Sequence, residues 1–289
     1  MKARRPAAER LRQMYDALES AYGPQHWWPA GSAFEVVAGA YLTQNTAWGN
    51  VELAMANLRR ADALSVDGIR KVSLEELEQL VRPAGYFRQK AARLKLFVAH
   101  LDGHYGGSLE QMFARPAEEL RVELLTLTGI GPETADSILL YAANLEVFVV
   151  DSYARRIFER HGMVDDGTGY EEIRAAVQRA LAESVEEGQG LDRRQGQLPH
   201  LRAPEILVPE ASVHAPSAAS RMGRSELAQR YNEFHALIVQ TAKHFCVKGE
   251  PRCESCPLRE MSEGKAAATS RGTKDKNNRK EPHLTNREV

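Results

Sequence analysis

Apolar residues in this chain recur at three- and four-residue intervals almost from its start. Leu11, Met14, Tyr15, Leu18 and Tyr22 form the first set, predicting an amphipathic helix from about Ala7 that stops at Gly23-Pro24. A second helix is predicted from the cap Ser32 through Phe34, Val37 and Tyr41, and a third carries Val51, Leu53, Met55, Ala56 and Leu58. Ser73 and Glu76 read as a capping box, and further helices are expected from Tyr86 to about His104 and from Leu109 to Ala114. Pro116 opens the next, marked by Leu120, Val122, Leu124 and Leu125; Ala135, Ile138, Leu139 and Ala142 mark its successor. Later helices are predicted from Ser152 to about Arg160, ended by Gly162, from Tyr170 to Val185, and from Ser225 onward. The last carries Leu227, Tyr231, Phe234, Leu237, Ile238 and Ala242. Alternation of period two never runs beyond a few residues, so the predicted fold class is all-α.

Two stretches break the periodicity. From about Glu186 to Gly223 the chain is rich in Gly, Pro, Gln, Ser and Arg, which predicts a disordered insert, and residues 263–289 predict a mobile basic tail. The expected organisation is a helical barrel over residues 32–144 and a second lobe over 145–262, against which the N-terminal helix of residues 1–31 packs. With 289 residues, 43% of them hydrophobic, the chain can bury a sizeable core. A formal net charge of −1 restricts any nucleic-acid surface to a local patch. No leader-like segment and no apolar run near about 18 residues is seen, so a cytoplasmic monomer with no membrane contact is expected. All three cysteines fall between Cys246 and Cys256, a clustering that suits a metal or cluster site better than a disulfide.

Between the two helices that flank it, Leu127-Thr128-Gly129-Ile130-Gly131 reads as a tight hairpin. Its glycines allow positive φ and close approach of a ligand to bare backbone, and Pro132 suits the first position of a helix. Amides at a helix mouth attract an anion, phosphate above all. The run LTGIGPETAD, followed by Val147-Phe148-Val149-Val150 and Asp151, resembles the helix-hairpin-helix and aspartate motif of the endonuclease III superfamily of DNA glycosylases. That resemblance implies that Gly129, Ile130, Gly131 and Thr134 bind the DNA backbone and that Asp151 is catalytic. Each half has a plainer reading, as an ordinary turn and as the N-cap of the helix from Ser152.

The resemblance extends to other segments. Leu42-Thr43-Gln44-Asn45-Thr46 is similar to the family's wedge loop, which implies that Gln44 enters the gap left by an extruded base; the alternative is a glutamine at a helix end hydrogen-bonded to a free carbonyl. Arg88, Lys90 and Arg93 sit where the family has a basic helix, and they suit phosphate contacts or a solvated face equally. Trp27-Trp28-Pro29, Trp48 and Arg82-Pro83-Ala84-Gly85-Tyr86 resemble the branch acting on 3-methyladenine, which implies that Trp27 and Trp48 wall a base pocket while Trp28 packs. Electron-rich rings suit a cationic alkylated base, at about 0.5–2 kcal/mol. Lys243 matches a basic residue of that branch, placed to contact phosphate or Asp151, and is read equally as a solvated side chain.

Family members that also cleave the strand carry a lysine two residues beyond the second glycine, and here that residue is Glu133, which cannot form an imine. The implied activity is therefore monofunctional excision from double-stranded DNA holding a damaged base. The alternatives are an endonuclease III-like lyase for oxidised pyrimidines and a non-catalytic damage-binding protein. Cys246-x6-Cys253-x2-Cys256 matches three ligands of the family's [4Fe–4S] loop, with Ser262 where the fourth cysteine is expected. No nucleotide cofactor is implied.

Overall fold

The computed structural model describes residues 7–191 and 215–261; the basic tail, Ser262 and most of the Gly- and Pro-rich insert lie outside the described residues. Among the described residues there are twelve α-helices and no strand, as the periodicity predicts. They are α1 (Ala7–Tyr22), α2 (Ala33–Thr43), α3 (Trp48–Arg60), α4 (Val66–Lys71), α5 (Leu74–Leu80) and α6 (Phe87–Tyr105). They continue as α7 (Leu109–Phe113), α8 (Ala117–Thr126), α9 (Pro132–Ser137), α10 (Ser152–Arg160), α11 (Tyr170–Leu191) and α12 (Glu226–His244). Caps expected from the sequence are in place: Ser32, Ser73 and Ser225 accept from the amides of Glu35, Glu76 and Ala228. The short α4 escaped the periodicity reading because six residues give too little pattern; Ser65 caps it.

Two helices are buried along most of their length, and others gather around each. In α2 every residue from Val36 to Leu42 is buried, and α3, α6 and α9 pack around it. In α12 every residue from Tyr231 to Ala242 is buried, and α1, α10 and α11 pack around it. Between them lies one turn of π-helix, Ile138–Ala142, which extends α9 and touches both. The sequence predicted an uninterrupted helix here. Instead the Ala143 amide reaches back to the carbonyl of Ile138, widening the turn at Tyr141.

The insert begins later and ends earlier than its composition suggests. Helix α11 runs on to Leu191, and Ala219 is buried, its amide bonded to the Ala30 carbonyl at 3.1 Å. Ser217 donates to the Trp28 carbonyl at 2.9 Å, fastening the far end of the insert to the tryptophan turn.

One basic residue of α6 departs from both sequence readings. Lys90 is 1% exposed, and its ammonium donates at 2.8 Å to the carbonyls of Leu42 and Ala84, closing the last turn of α2. Burial, with Arg93 nearby, pushes its amine down to about 8. It is a strut, and neither a phosphate contact nor a solvated side chain. Arg88 by contrast is exposed, with Glu78 3.8 Å away.

Candidate active site

The apolar run Val147–Val150 is buried, and the residues that hold it also hold the hairpin. The amide of Val150 bonds to the hydroxyl of Tyr170 at 3.3 Å, and that hydroxyl donates to Asp136 Oδ2 at 2.8 Å. Asp136, fully buried on α9, takes Arg121 of α8 at 2.6 and 3.2 Å. A bidentate ion pair across the two hairpin helices thus fixes the backbone that delivers Asp151.

Asp151 performs the plainer of its two predicted roles with only one oxygen. Its Oδ1 accepts from the Ala154 amide at 2.8 Å and caps α10, while Oδ2 lies 3.5 Å from His235 Nε2 of α12. Burial pulls the carboxyl upward, but the His235 charge and the amides of Ala154 and Tyr153 outweigh it and hold Asp151 below the ordinary carboxylate value. Glu133 moves the other way, raised by loss of hydration and by the Asp151 charge against the pull of His235. The exposed Lys243 has its amine lowered by loss of hydration, while Asp151 and Glu52 pull upward. Asp151, Glu133, His235 and Lys243 therefore share one electrostatic site.

The tryptophans meet beside it. Trp28 is buried, with its ring centroid 5.3 Å from Trp27, 5.3 Å from Trp48 and 5.2 Å from Tyr141. Trp27 and Trp48 are half-buried, 6.2 Å apart and tilted by 44°. A base sandwiched between two rings needs parallel faces about 7 Å apart, two contact distances of about 3.5 Å. In this conformation the rings lean on each other, so a base enters between them only after one of them turns.

The hairpin and the wedge loop are bonded together. Gln44 donates through Nε2 to the Gly129 carbonyl at 2.9 Å and to the Thr134 hydroxyl at 3.0 Å, and Oε1 accepts from Arg93 at 2.9 Å. Gly129 has φ +83°, and a side chain there would run into the Arg93 guanidinium. Ile130 is 7% exposed and packs inward, so only its backbone is available to a ligand. Gly131 is open to solvent at the start of α9, ahead of Pro132.

The cysteine loop sits against α10. Arg160 donates to Cys246 Sγ at 3.3 Å and to the carbonyls of Val247, Lys248 and Gly249. With no metal charge beside them, burial raises the thiols of Cys253 and Cys256, the latter to about 11. Among the described residues no group of three or more His, Cys, Asp or Glu side chains is arranged for a metal ion, and Ser262 lies outside them. As described, the loop does not fit a four-ligand cluster, and no chemical step below passes through it. No described helix is long and apolar enough to cross a membrane.

His235 and Tyr141 were missed by sequence reading. Each sits in a helical run of apolar spacing and looks like core, and α12 buries Asn232, Glu233, Gln240 and Thr241 as well, so nothing in the spacing singles out His235.

Comparison with known proteins identifies the family. Residues 38–183, just over half the chain, match the model of the HhH-GPD superfamily of base excision DNA repair proteins. A Methanocaldococcus jannaschii protein named as a DNA repair glycosylase is 36% identical over 255 residues, spanning 88% of this chain and 96% of its own. Thermotoga maritima endonuclease III is 31% identical over 53% of this chain and 67% of its own. Among solved structures, the 3-methyladenine DNA glycosylase MagIII of H. pylori bound to 1,N6-ethenoadenine superposes with a TM-score of 0.62 at 27% identity, covering 83% of this chain and 98% of that one. A DNA complex of endonuclease III superposes at 0.64 with 18% identity, covering 91% and 99%, a likeness of fold. This chain therefore belongs to the HhH-GPD superfamily of base excision repair DNA glycosylases.

Proposed function

We propose that the protein is a monofunctional DNA glycosylase that hydrolyses the N-glycosidic bond of an alkylated purine flipped out of duplex DNA. The observation that carries this reading is the second oxygen of Asp151, left over from helix capping and sharing a site with Glu133 where a strand-cleaving relative carries lysine. As the bond from the sugar C1′ to the base nitrogen breaks, its electron pair leaves with the base, and Asp151 stabilises the positive charge on the sugar. Water then bonds to C1′ and gives its proton to Asp151 Oδ2. A purine methylated at N3 departs as a neutral molecule and needs no proton donor. The Trp27, Trp28 and Trp48 cluster supports the substrate class, because ring faces hold a cationic base and gain less from a neutral one. The bonds from Gln44 to the hairpin support coupled use of the two loops, with Gly129, Gly131 and Thr134 on the backbone and Gln44 exchanging partners to fill the gap.

The test is base release from duplexes that each carry one alkylated, oxidised or deaminated base, with strands resolved before and after hot alkali and a parallel borohydride trap. Alkylated purines should be released, with breaks appearing only after alkali. Preferential release of an oxidised pyrimidine, or a trapped covalent adduct, would overturn the reading. An adduct lost on Lys243→Met would assign a lyase role to that amine, whose charge Asp151 favours.

A further inference from the structure

We infer that His235, set by Tyr141, is the positioning residue for the reacting carboxylate: together they hold the free oxygen and the negative charge of Asp151 toward the sugar. This rests on Asp151 being the group that acts on the sugar. Three observations converge on the pair. The Tyr141 hydroxyl lies 2.6 Å from His235 Nδ1, a contact buried between the lobes. His235 Nε2 is buried and has no hydrogen-bond partner within ordinary reach, yet it faces Asp151 Oδ2 at 3.5 Å. Tyr141 lies in the π-helical turn, the departure from regular helix that brings its ring against both Trp28 and His235.

The tautomer follows from these contacts. Burial and the Asp151 charge keep the Tyr141 hydroxyl protonated, so it donates to Nδ1 of a neutral ring and leaves the single ring proton on Nε2, directed at Asp151. When the ring is protonated, Nδ1 donates to the tyrosine oxygen and Nε2 keeps the same orientation. In either state an N–H dipole or a positive charge faces the oxygen that the helix cap leaves free. The His235 ring packs against Phe148, 6.2 Å away at 70°, and against Tyr141, 5.9 Å away at 57°, contacts made within the protein itself. The other titratable or charged groups around the pair are Glu133 of α9, Arg224, which precedes α12, and Glu233 and Lys243 of α12 itself. None of these is in a hydrogen bond with His235 among the described residues. The arrangement makes the two lobes interdependent: Asp151 and His235 come from one, Tyr141 from the turn that joins it to the other.

The test uses the full-length protein and its His235→Gln and Tyr141→Phe variants. Carbon-13 NMR follows the carboxyl of Asp151 through pH in the free protein, assigned by its loss in Asp151→Asn. In parallel, single-turnover excision is measured against pH for the base the wild type releases. In His235→Gln the carboxyl should titrate at higher pH than in the wild type, the acid limb of excision should move the same way, and the plateau rate should fall on the order of 10- to 100-fold with duplex affinity unchanged. Tyr141→Phe should shift both in the same direction by less. A carboxyl that titrates identically in wild type and His235→Gln overturns the inference, as does a rate loss that tracks lost thermal stability while the pH profile stays in place. The carboxyl titration needs no turnover, so a wild type that releases no base would defeat the proposed function and still leave this inference decided.

Discussion

The two glycines of the hairpin look equivalent in the sequence and are unequal in the structure. Gly129 has φ +83°, and a Cβ built there would lie 2.1 Å from Arg93 Nε, 2.4 Å from its Cδ and 2.5 Å from its Cζ. Gly131 has φ −99°, with nothing within 4 Å of the same atom. Gly129→Ala therefore carries the left-handed backbone penalty of about 1–2 kcal/mol. It must also displace the guanidinium and break the 2.9 Å bond to Gln44, a charge-assisted contact worth about 1.5–3 kcal/mol before solvent exposure reduces it. The sum is a loss of about 2–4 kcal/mol, against about 0.5 kcal/mol or less for Gly131→Ala, whose backbone suits alanine already. Equilibrium urea unfolding reads both. In a double-mutant cycle Arg93→Ala should cost little further on top of Gly129→Ala, because the bond to Gln44 is already broken there. If Gly129→Ala and Gly131→Ala are equally stable, the account of this hairpin is wrong. Since Gly131→Ala leaves the fold intact, it should instead lower duplex affinity, a loss that reports close approach of DNA to that bare backbone.

Other expectations follow from single side chains. Asp136→Asn should destabilise the protein by about 1.5–3 kcal/mol in a urea titration, because the buried Arg121 loses its bidentate carboxylate and keeps only Glu171, at 2.6 Å. Lys90→Met should lower the melting temperature by removing both bonds to the carbonyls of Leu42 and Ala84, whereas the exposed Arg88→Ala should leave it in place. Trp48→Leu should reduce excision of a cationic base about 3- to 30-fold, from a lost cation–π contact, while binding to undamaged duplex holds in a gel-shift assay. The folded-state carboxyl of Asp151 is depressed, so its contribution to stability is present above the unfolded value near 3.9 and is lost as pH falls through the folded value. Urea unfolding in acid should accordingly show wild type losing stability more steeply below about pH 4 than Asp151→Asn.

What could be read in advance was what is local in the chain. A cap, an amphipathic face and a hairpin each lie within one stretch of sequence, so the helices from Ser32, Ser73 and Ser225 and the turn at Gly129 were legible from spacing. The apolar run of α2 marks it as a central helix, whereas α12 reads as one-sided and is buried on its polar side as well, at Asn232, Glu233, Gln240 and Thr241. Contacts made in space were not legible. Lys90 is identical in sequence to a solvated lysine, and only the approach of the Leu42 and Ala84 carbonyls makes it a strut. Glutamine at position 44 was expected either in DNA or, from its helix end, on a free carbonyl; it is on a carbonyl here, and what spacing could not tell is that the carbonyl belongs to Gly129 of the hairpin. The π-turn could not be foreseen from apolar spacing, because Ile138, Leu139 and Ala142 fit a regular helix equally well, and without that turn Tyr141 has no reason to be paired with His235. The reach of the insert was misjudged because composition averages over a window, whereas Ala219 and Ser217 are held by two individual bonds to the tryptophan turn.

The central claim is that the oxygen of Asp151 left free by the helix cap acts on the sugar. Asparagine keeps an oxygen for the Ala154 amide, so Asp151→Asn preserves the cap and removes the negative charge. Single-turnover release of an alkylated purine from duplex DNA, with enzyme in excess, should fall on the order of 10²- to 10⁴-fold in this variant while duplex binding and thermal stability stay close to wild type. Equal rates of release from wild type and Asp151→Asn would contradict the account.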